Sequence, residues 1–141
     1  MNTNKEKIAS ILRGEVSAFE AYDRVLKKMD NFPNHSVLKD IRSTHKAAAD
    51  FWKTEATFKN VDQKKDSGAW GTVVQTLLST TKVLGNEATL MTIKKGEEHG
   101  LELYQDMLKD ESIAPRIKAK IETHFIPNQR KHISSLENLM P

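Results

Sequence analysis

IASILRGEVSAFEAYDRVLK occupies positions 8–27, and LMTIKKGEEHGLELYQDMLK occupies positions 90–109. The two stretches align without a gap at an offset of 82 residues, pairing Glu15 with Glu97. Ile11/Ile93, Gly14/Gly96, Glu15/Glu97, Glu20/Glu102, Tyr22/Tyr104, Leu26/Leu108 and Lys27/Lys109 are identical, as are Asn4/Asn86 just upstream. Ile8/Leu90, Phe19/Leu101 and Val25/Met107 are alike. Two unrelated amphipathic helices rarely share so much, and we read the pair as a duplicated two-helix unit. Apolar residues recur three and four apart in both copies, the period of a helix with one buried face. The helices that follow each copy align less well. At an offset of 87 their informative match is His45 with His132.

The first helix should run from about residue 4 to about 29, opened by the capping box Thr3-x-x-Glu6. Pro33 in Asp30–Asn34 cannot continue the backbone ladder and stops it. A second helix begins near Ser36, turns Leu38, Ile41, Ala48, Phe51 and Trp52 inward, and frays around Phe58. Lys59 to Ser67 is polar and without period, hence a loop. Trp70, Val73, Val74, Leu77, Leu78 and Val83 then suggest a short amphipathic helix with Gly85 as its C-cap. Asn86 is placed to cap the third long helix, which ends near Lys109. Pro115 suits the first turn of the last helix, and Pro127 inside that helix should kink the turn before it. The connection between the second and third long helices far exceeds the other two, and a long crossover of that kind places those helices parallel. The expected fold is all-α: a four-helix bundle with a short extra helix in its crossover, one domain over residues 1–141.

Glu15 and Glu97 stand where carboxylates do not belong. Glu15 is in register with Ile8, Ile11, Ala18 and Tyr22, and Glu97 with Leu90, Ile93, Leu101 and Tyr104. His45 follows Leu38 and Ile41 and precedes Ala48 and Trp52, while His132 is spaced by helical turns from Phe125, Leu136 and Leu139. An ionised carboxylate in a bundle core costs several kcal/mol unless it is paired, hydrogen-bonded or metal-bound. Four helices thus each send one ionisable side chain to the same core. Glu15, His45, Glu97 and His132 are the candidate site.

Gly14-Glu15 with Tyr22 seven residues after the Glu resembles the first ligand helix of rubrerythrins and other ferritin-like proteins, and Gly96-Glu97 with Tyr104 resembles their third. The Trp70 segment, the Gly96-Glu97 helix and the His132-Ile133 end are similar to an uncharacterised bacterial ferritin-like family, a domain of unknown function. In the ferritin-like superfamily one Glu from each of two helices joins a Glu-x-x-His pair from each of the other two, and together they hold two iron or manganese ions. The resemblance implies that Glu15 and Glu97 are the single carboxylates and His45 and His132 the histidines. It also implies that Tyr22 and Tyr104 hydrogen-bond ligand carboxylates on neighbouring helices, unless they serve only as core aromatics. Two carboxylates of the pattern are absent: Arg42 and Gln129 stand at their positions.

Two Glu and two neutral His carry less negative charge than a dinuclear site uses. Arg42, if turned inward, would offer a fixed cation to Glu15 or Glu97 and displace a metal ion. The expected function is therefore a non-enzymatic structural or stress-associated protein with a degenerate metal site. A second reading is a metal-binding oxidoreductase or peroxide scavenger, holding iron, manganese or zinc through the four core residues. Extra carboxylates for a second ion would have to come from Asp40, Glu98 or Glu122. A third reading is an adaptor that docks a partner through the Trp70 helix. His35, His99 and His124 are expected outside the site, and Trp52 and Trp70 are read as packing residues for the crossover helix.

Composition narrows the rest. The 141 residues include no Cys, so thiol catalysis and disulfides are excluded. With 22 basic and 19 acidic residues the net charge is +3, spread in mixed sign along the chain, which gives no footprint for nucleic acid. No apolar run approaches the roughly 20 residues that span a bilayer, and residues 1–6 carry no apolar signal segment. A cytoplasmic protein is expected, with a homodimer through the bundle face. No P-loop, dinucleotide fingerprint, nucleophile elbow or zincin motif is present.

Overall fold

Residues 3–28, 35–58 and 85–140 are described in the structure, a computed structural model, and they are helical nearly throughout with no strand among them. Helix α1 spans Thr3–Lys28, α2 His35–Phe58 and α3 Asn86–Leu108. The fourth helix has three parts: α4 (Pro115–Lys120), a π-helical turn (Ile121–Phe125) and α5 (Ile126–Leu139). The long helices lie within about two residues of their expected bounds. The Trp70 helix, the Pro33 stop and the Lys59–Ser67 loop fall outside the described residues, as does the Thr3 side chain of the capping box.

Each helix buries the stripe that its period defines. Ile8, Ile11, Ala18, Tyr22 and Val25 are buried on α1, Leu38, Ile41, Ala48 and Trp52 on α2, Leu90, Ile93, Tyr104 and Met107 on α3, and Ile126 and Leu136 on α5. These side chains form two apolar clusters. One joins Ile8, Ile11, Trp52, Met107, Ile117 and Phe125. The other joins Val25, Leu38, Ile41, Leu90, Ile93 and Leu136. Early α1 thus meets late α2 and late α3, and late α1 meets early α2 and early α3. Helix α1 is therefore antiparallel to both, and α2 and α3 run parallel. Two cross-links agree: His45 to Glu97 and Trp52 to Tyr104 both join residues 52 apart. The parallel pair is the arrangement that the long crossover implied. Between the two apolar clusters the core turns polar, and there the four site residues lie.

Local signals were met in part. Pro115 takes the first position of α4 after Ala114 in extended conformation, where its missing N–H costs nothing. Gly85 does not have the left-handed conformation of a C-cap: its φ of −74° is ordinary, and it stands as the N-cap of α3. The expectation that Asn86 caps α3 is corrected accordingly, since Asn86 is already inside the helix and no side chain supplies the cap. Pro127 does not break its helix. Having no N–H to give, it follows a widened turn in which the Ile126 N–H reaches back five residues to the Ile121 carbonyl. The helix absorbs the proline there, and His132 beyond it still faces the core, 5% exposed.

Candidate metal centre

Glu15, His45, Glu97 and His132 come together as expected, one from each long helix, all buried. His45 is the centre. Its Nδ1 lies 2.5 Å from Glu15 Oε1 and its Nε2 lies 2.6 Å from Glu97 Oε2. His132 approaches Glu97 from the other side, Nδ1 to Oε1 at 3.2 Å. The two imidazoles are tilted against each other with centroids 4.9 Å apart.

The tyrosines bond carboxylates, and they do so crosswise. Tyr22 in the first copy donates to Glu97 in the second at 2.6 Å, and Tyr104 in the second donates to Glu15 in the first at 2.5 Å. The antiparallel crossing of α1 and α3 requires this exchange. Seven residues is two turns, which carries each tyrosine past its own glutamate to the level of the other. The duplication seen in sequence is thus an approximate two-fold relation in space.

Charges in this dry layer shift each other strongly. Burial alone would lower the His45 pKa, but the carboxylates of Glu97 and Glu15 outweigh it and push it up to about 10. Burial alone would raise Glu97, yet the His45 charge and the hydrogen bonds from His132 and His45 hold it well below the usual carboxylate range. At neutral pH His45 is an imidazolium that donates on both sides. Burial, reinforced by Glu97 beside Tyr22 and by Glu15 beside Tyr104, pushes both phenols well above their ordinary value, so they remain donors.

Arg42 does not enter the core. Its guanidinium donates to Asp23 at 2.8 Å on the half-buried flank between α2 and α1, so the cation that would have displaced a metal ion is absent from the cluster. Gln129, at the other vacant carboxylate position, is buried and donates to the backbone carbonyl of Glu97 at 3.0 Å. Asp40, Glu98 and Glu122 are exposed and bring no further carboxylate to the cluster. His99 and His124 are exposed as expected.

Three features went unread in the sequence. Trp52 turns inward from α2 as expected, and the crossover helix it was expected to pack under lies outside the described residues. Trp52 is fully buried with Phe51, Tyr104 and Phe125 around it, and its Nε1–H donates to the Tyr104 hydroxyl at 2.9 Å. Glu55 is also buried and receives a fork of two 2.8 Å bonds from Arg116. The signal was present: Glu55 lies one turn after Trp52 on the same stripe, the test that singled out Glu15. A water-sized void beside the cluster is lined by Glu15, His45 and Gln129, with Gly14 and Gly100 in its wall.

The ligand atoms of His45, Glu97 and His132 all lie within 4.8 Å of one another. Two imidazoles and one carboxylate form a donor set that suits zinc with an open position, or iron(II) or manganese(II) in a facial arrangement. Glu15 lies on the far nitrogen of His45, where a second carboxylate fixes ring orientation and tautomer in many metal sites. The residues fit a single ion. Comparison with known protein families, with curated proteins and with solved structures found no match to the chain.

Proposed function

We propose that this chain is a ferritin-like bundle whose core binds one divalent transition-metal ion through His45, Glu97 and His132, with Glu15 holding His45 from behind. The observation that carries the reading is the convergence of three buried ligand side chains, from three helices, with their donor atoms within 4.8 Å. The position of Arg42 on Asp23 supports it, because no guanidinium then enters the cluster to take the place of an ion. A bound iron or manganese ion would supply one-electron redox chemistry, and zinc Lewis acidity. Binding would replace the protons that His45 and His132 turn toward Glu97, while Glu15 keeps the proton on His45 Nδ1 and with it the ring's orientation. The tyrosine hydroxyls hold the two carboxylates in place.

The test is metal content of protein purified without chelator and after reconstitution with Fe2+, Mn2+ or Zn2+. About one equivalent is expected in the parent, loss in Glu97→Gln, and retention at an affinity weakened about 10- to 100-fold in Glu15→Gln. A parent that neither carries nor takes up a stoichiometric ion refutes the proposal. A second reading, a metal-free structural bundle, draws on the closure of both His45 nitrogens onto carboxylates. It expects a melting temperature that does not respond to added metal, whereas an ion bound only by the folded state raises it.

A further inference from the structure

A groove of about 260 Å³ runs between α2 and α5, and His132 forms part of its wall. Of the four cluster residues only His132 reaches it. Glu15 and His45 line the separate water-sized void, and Glu97 is fully enclosed. His132 is 95% buried and its ring is two-sided: Nδ1 is turned to Glu97, and Nε2 has no partner among the described residues. In its neutral form, a ring whose Nδ1–H is held by a carboxylate presents a lone pair at Nε2. The imidazole therefore connects the buried layer with the groove.

The groove's polar lining consists mainly of oxygen donors: the Asp40 carboxylate, the Thr44 and Ser135 hydroxyls and the Asn128 amide. Thr44 gives its proton to the Asp40 carbonyl at 3.0 Å, which leaves its oxygen as an acceptor. Hard oxygen ligands of this kind suit a partly hydrated divalent cation. At roughly 30 Å³ per water the volume equals about nine waters, enough for an ion with its first hydration shell. Lys131 is exposed at the rim and is the groove's fixed cation opposite Asp40.

We infer that the groove between α2 and α5 is the port through which a divalent cation reaches the buried cluster, with Asp40 receiving the hydrated ion and Nε2 of His132 the first nitrogen it meets. The inference rests on the metal-binding reading given above. Loading is followed by stopped-flow absorbance with Co2+ as the probe, in the parent, in Ser135→Phe, which fills the groove, and in Asp40→Lys, which reverses its charge. Glu98→Gln, an exposed carboxylate on α3, is the control. Loading is expected to slow by about tenfold or more in the two groove variants, with final stoichiometry unchanged and the control at the parent rate. Slower loading in either groove variant alone supports the port and keeps the test open should Ser135→Phe not fold. Parent-like rates in both overturn the port and leave the metal site standing. A parent that binds no Co2+ overturns both. A metal-free measurement is independent of loading: by imidazole 15N NMR the His132 ring nitrogens should exchange protons with solvent faster than those of His45, and the reverse order overturns the port.

Discussion

Replacing Tyr104 by Phe removes one oxygen and breaks two buried bonds. That hydroxyl donates to Glu15 at 2.5 Å and accepts from the Trp52 indole at 2.9 Å. A hydrogen bond to a buried charge is worth about 1.5–3 kcal/mol, and an indole N–H left without a partner costs about 1–3 kcal/mol more. Together the loss is roughly 3–5 kcal/mol, against about 5–15 kcal/mol for the whole stability of a domain this size. At a urea dependence of about 2 kcal/mol/M the midpoint should fall by about 2 M. Trp52→Phe alone loses the N–H and part of the ring, about 1.5–3 kcal/mol. In the double variant the indole N–H no longer exists to be orphaned. Its destabilisation should therefore fall short of the sum of the singles by about 1–2 kcal/mol, or about 0.5–1 M in midpoint. Urea unfolding followed by far-ultraviolet circular dichroism measures all four proteins without relying on tryptophan emission. Additivity within about 0.5 kcal/mol, or a Tyr104→Phe cost below about 1 kcal/mol, would refute the linked chain from Trp52 through Tyr104 to Glu15.

The pH dependence of the chelator-treated protein has a defined sign. His45 is raised from 6.5 to about 10, so its contribution, on the order of a few kcal/mol, is complete below pH 6.5 and is lost as pH rises through about 10. Glu97 is lowered from 4.5, so its contribution is complete above that value and is lost as the solution becomes more acidic. Melting temperatures across pH 7–10 should fall more steeply in the parent than in His45→Gln, and equal slopes would remove His45 as the cause. Arg42→Ala should cost no more than about 1 kcal/mol, because its partner Asp23 is on the half-buried flank, and metal content should not change. Arg116→Ala removes the fork on Glu55. With the Arg116 side chain 61% exposed, thermal unfolding should show a loss of about 1–2 kcal/mol after allowance for solvent screening.

Helix count, bounds and the four core residues were legible because each is a one-dimensional signal. A carboxylate on an apolar stripe is costly wherever that stripe packs, so Glu15 and Glu97 stood out before any partner was known. Partners are a different matter. Periodicity assigns a face and leaves the neighbour on that face undetermined, so the carbonyl under Gln129 and the hydroxyl under Trp52 could not be read. Arg42 shows the limit most plainly. It lies three residues before His45, close to the same stripe, and a long side chain at a stripe's margin can turn either way. Asp23 on the adjacent flank of α1 turned it outward. Glu55 was legible by the rule applied to Glu15, since it lies one turn after Trp52 on the same stripe.

Duplication explains the scaffold but not the chemistry. The elements that match best, α1 and α3, supply the symmetric part: two carboxylates and two tyrosines that exchange bonds across an approximate two-fold axis. The elements that match poorly, α2 and α5, make the two halves unequal. His45 straddles both carboxylates, whereas His132 attends only to Glu97, and Trp52 supports only the Tyr104 side. Glu97 thus collects donors from Tyr22, His45 and His132 in full burial, while Glu15 collects two, from Tyr104 and His45. Two glutamates that are equivalent in sequence therefore differ in their surroundings. Glu97 is held as an anion at the point where both imidazoles meet, which is the requirement for a ligand. Glu15 is held on the outer nitrogen of one imidazole, which is the requirement for a residue that positions a ligand. The asymmetry lies in the divergent helices, and on the proposed metal-binding reading it divides the pair into one carboxylate that binds and one that orients.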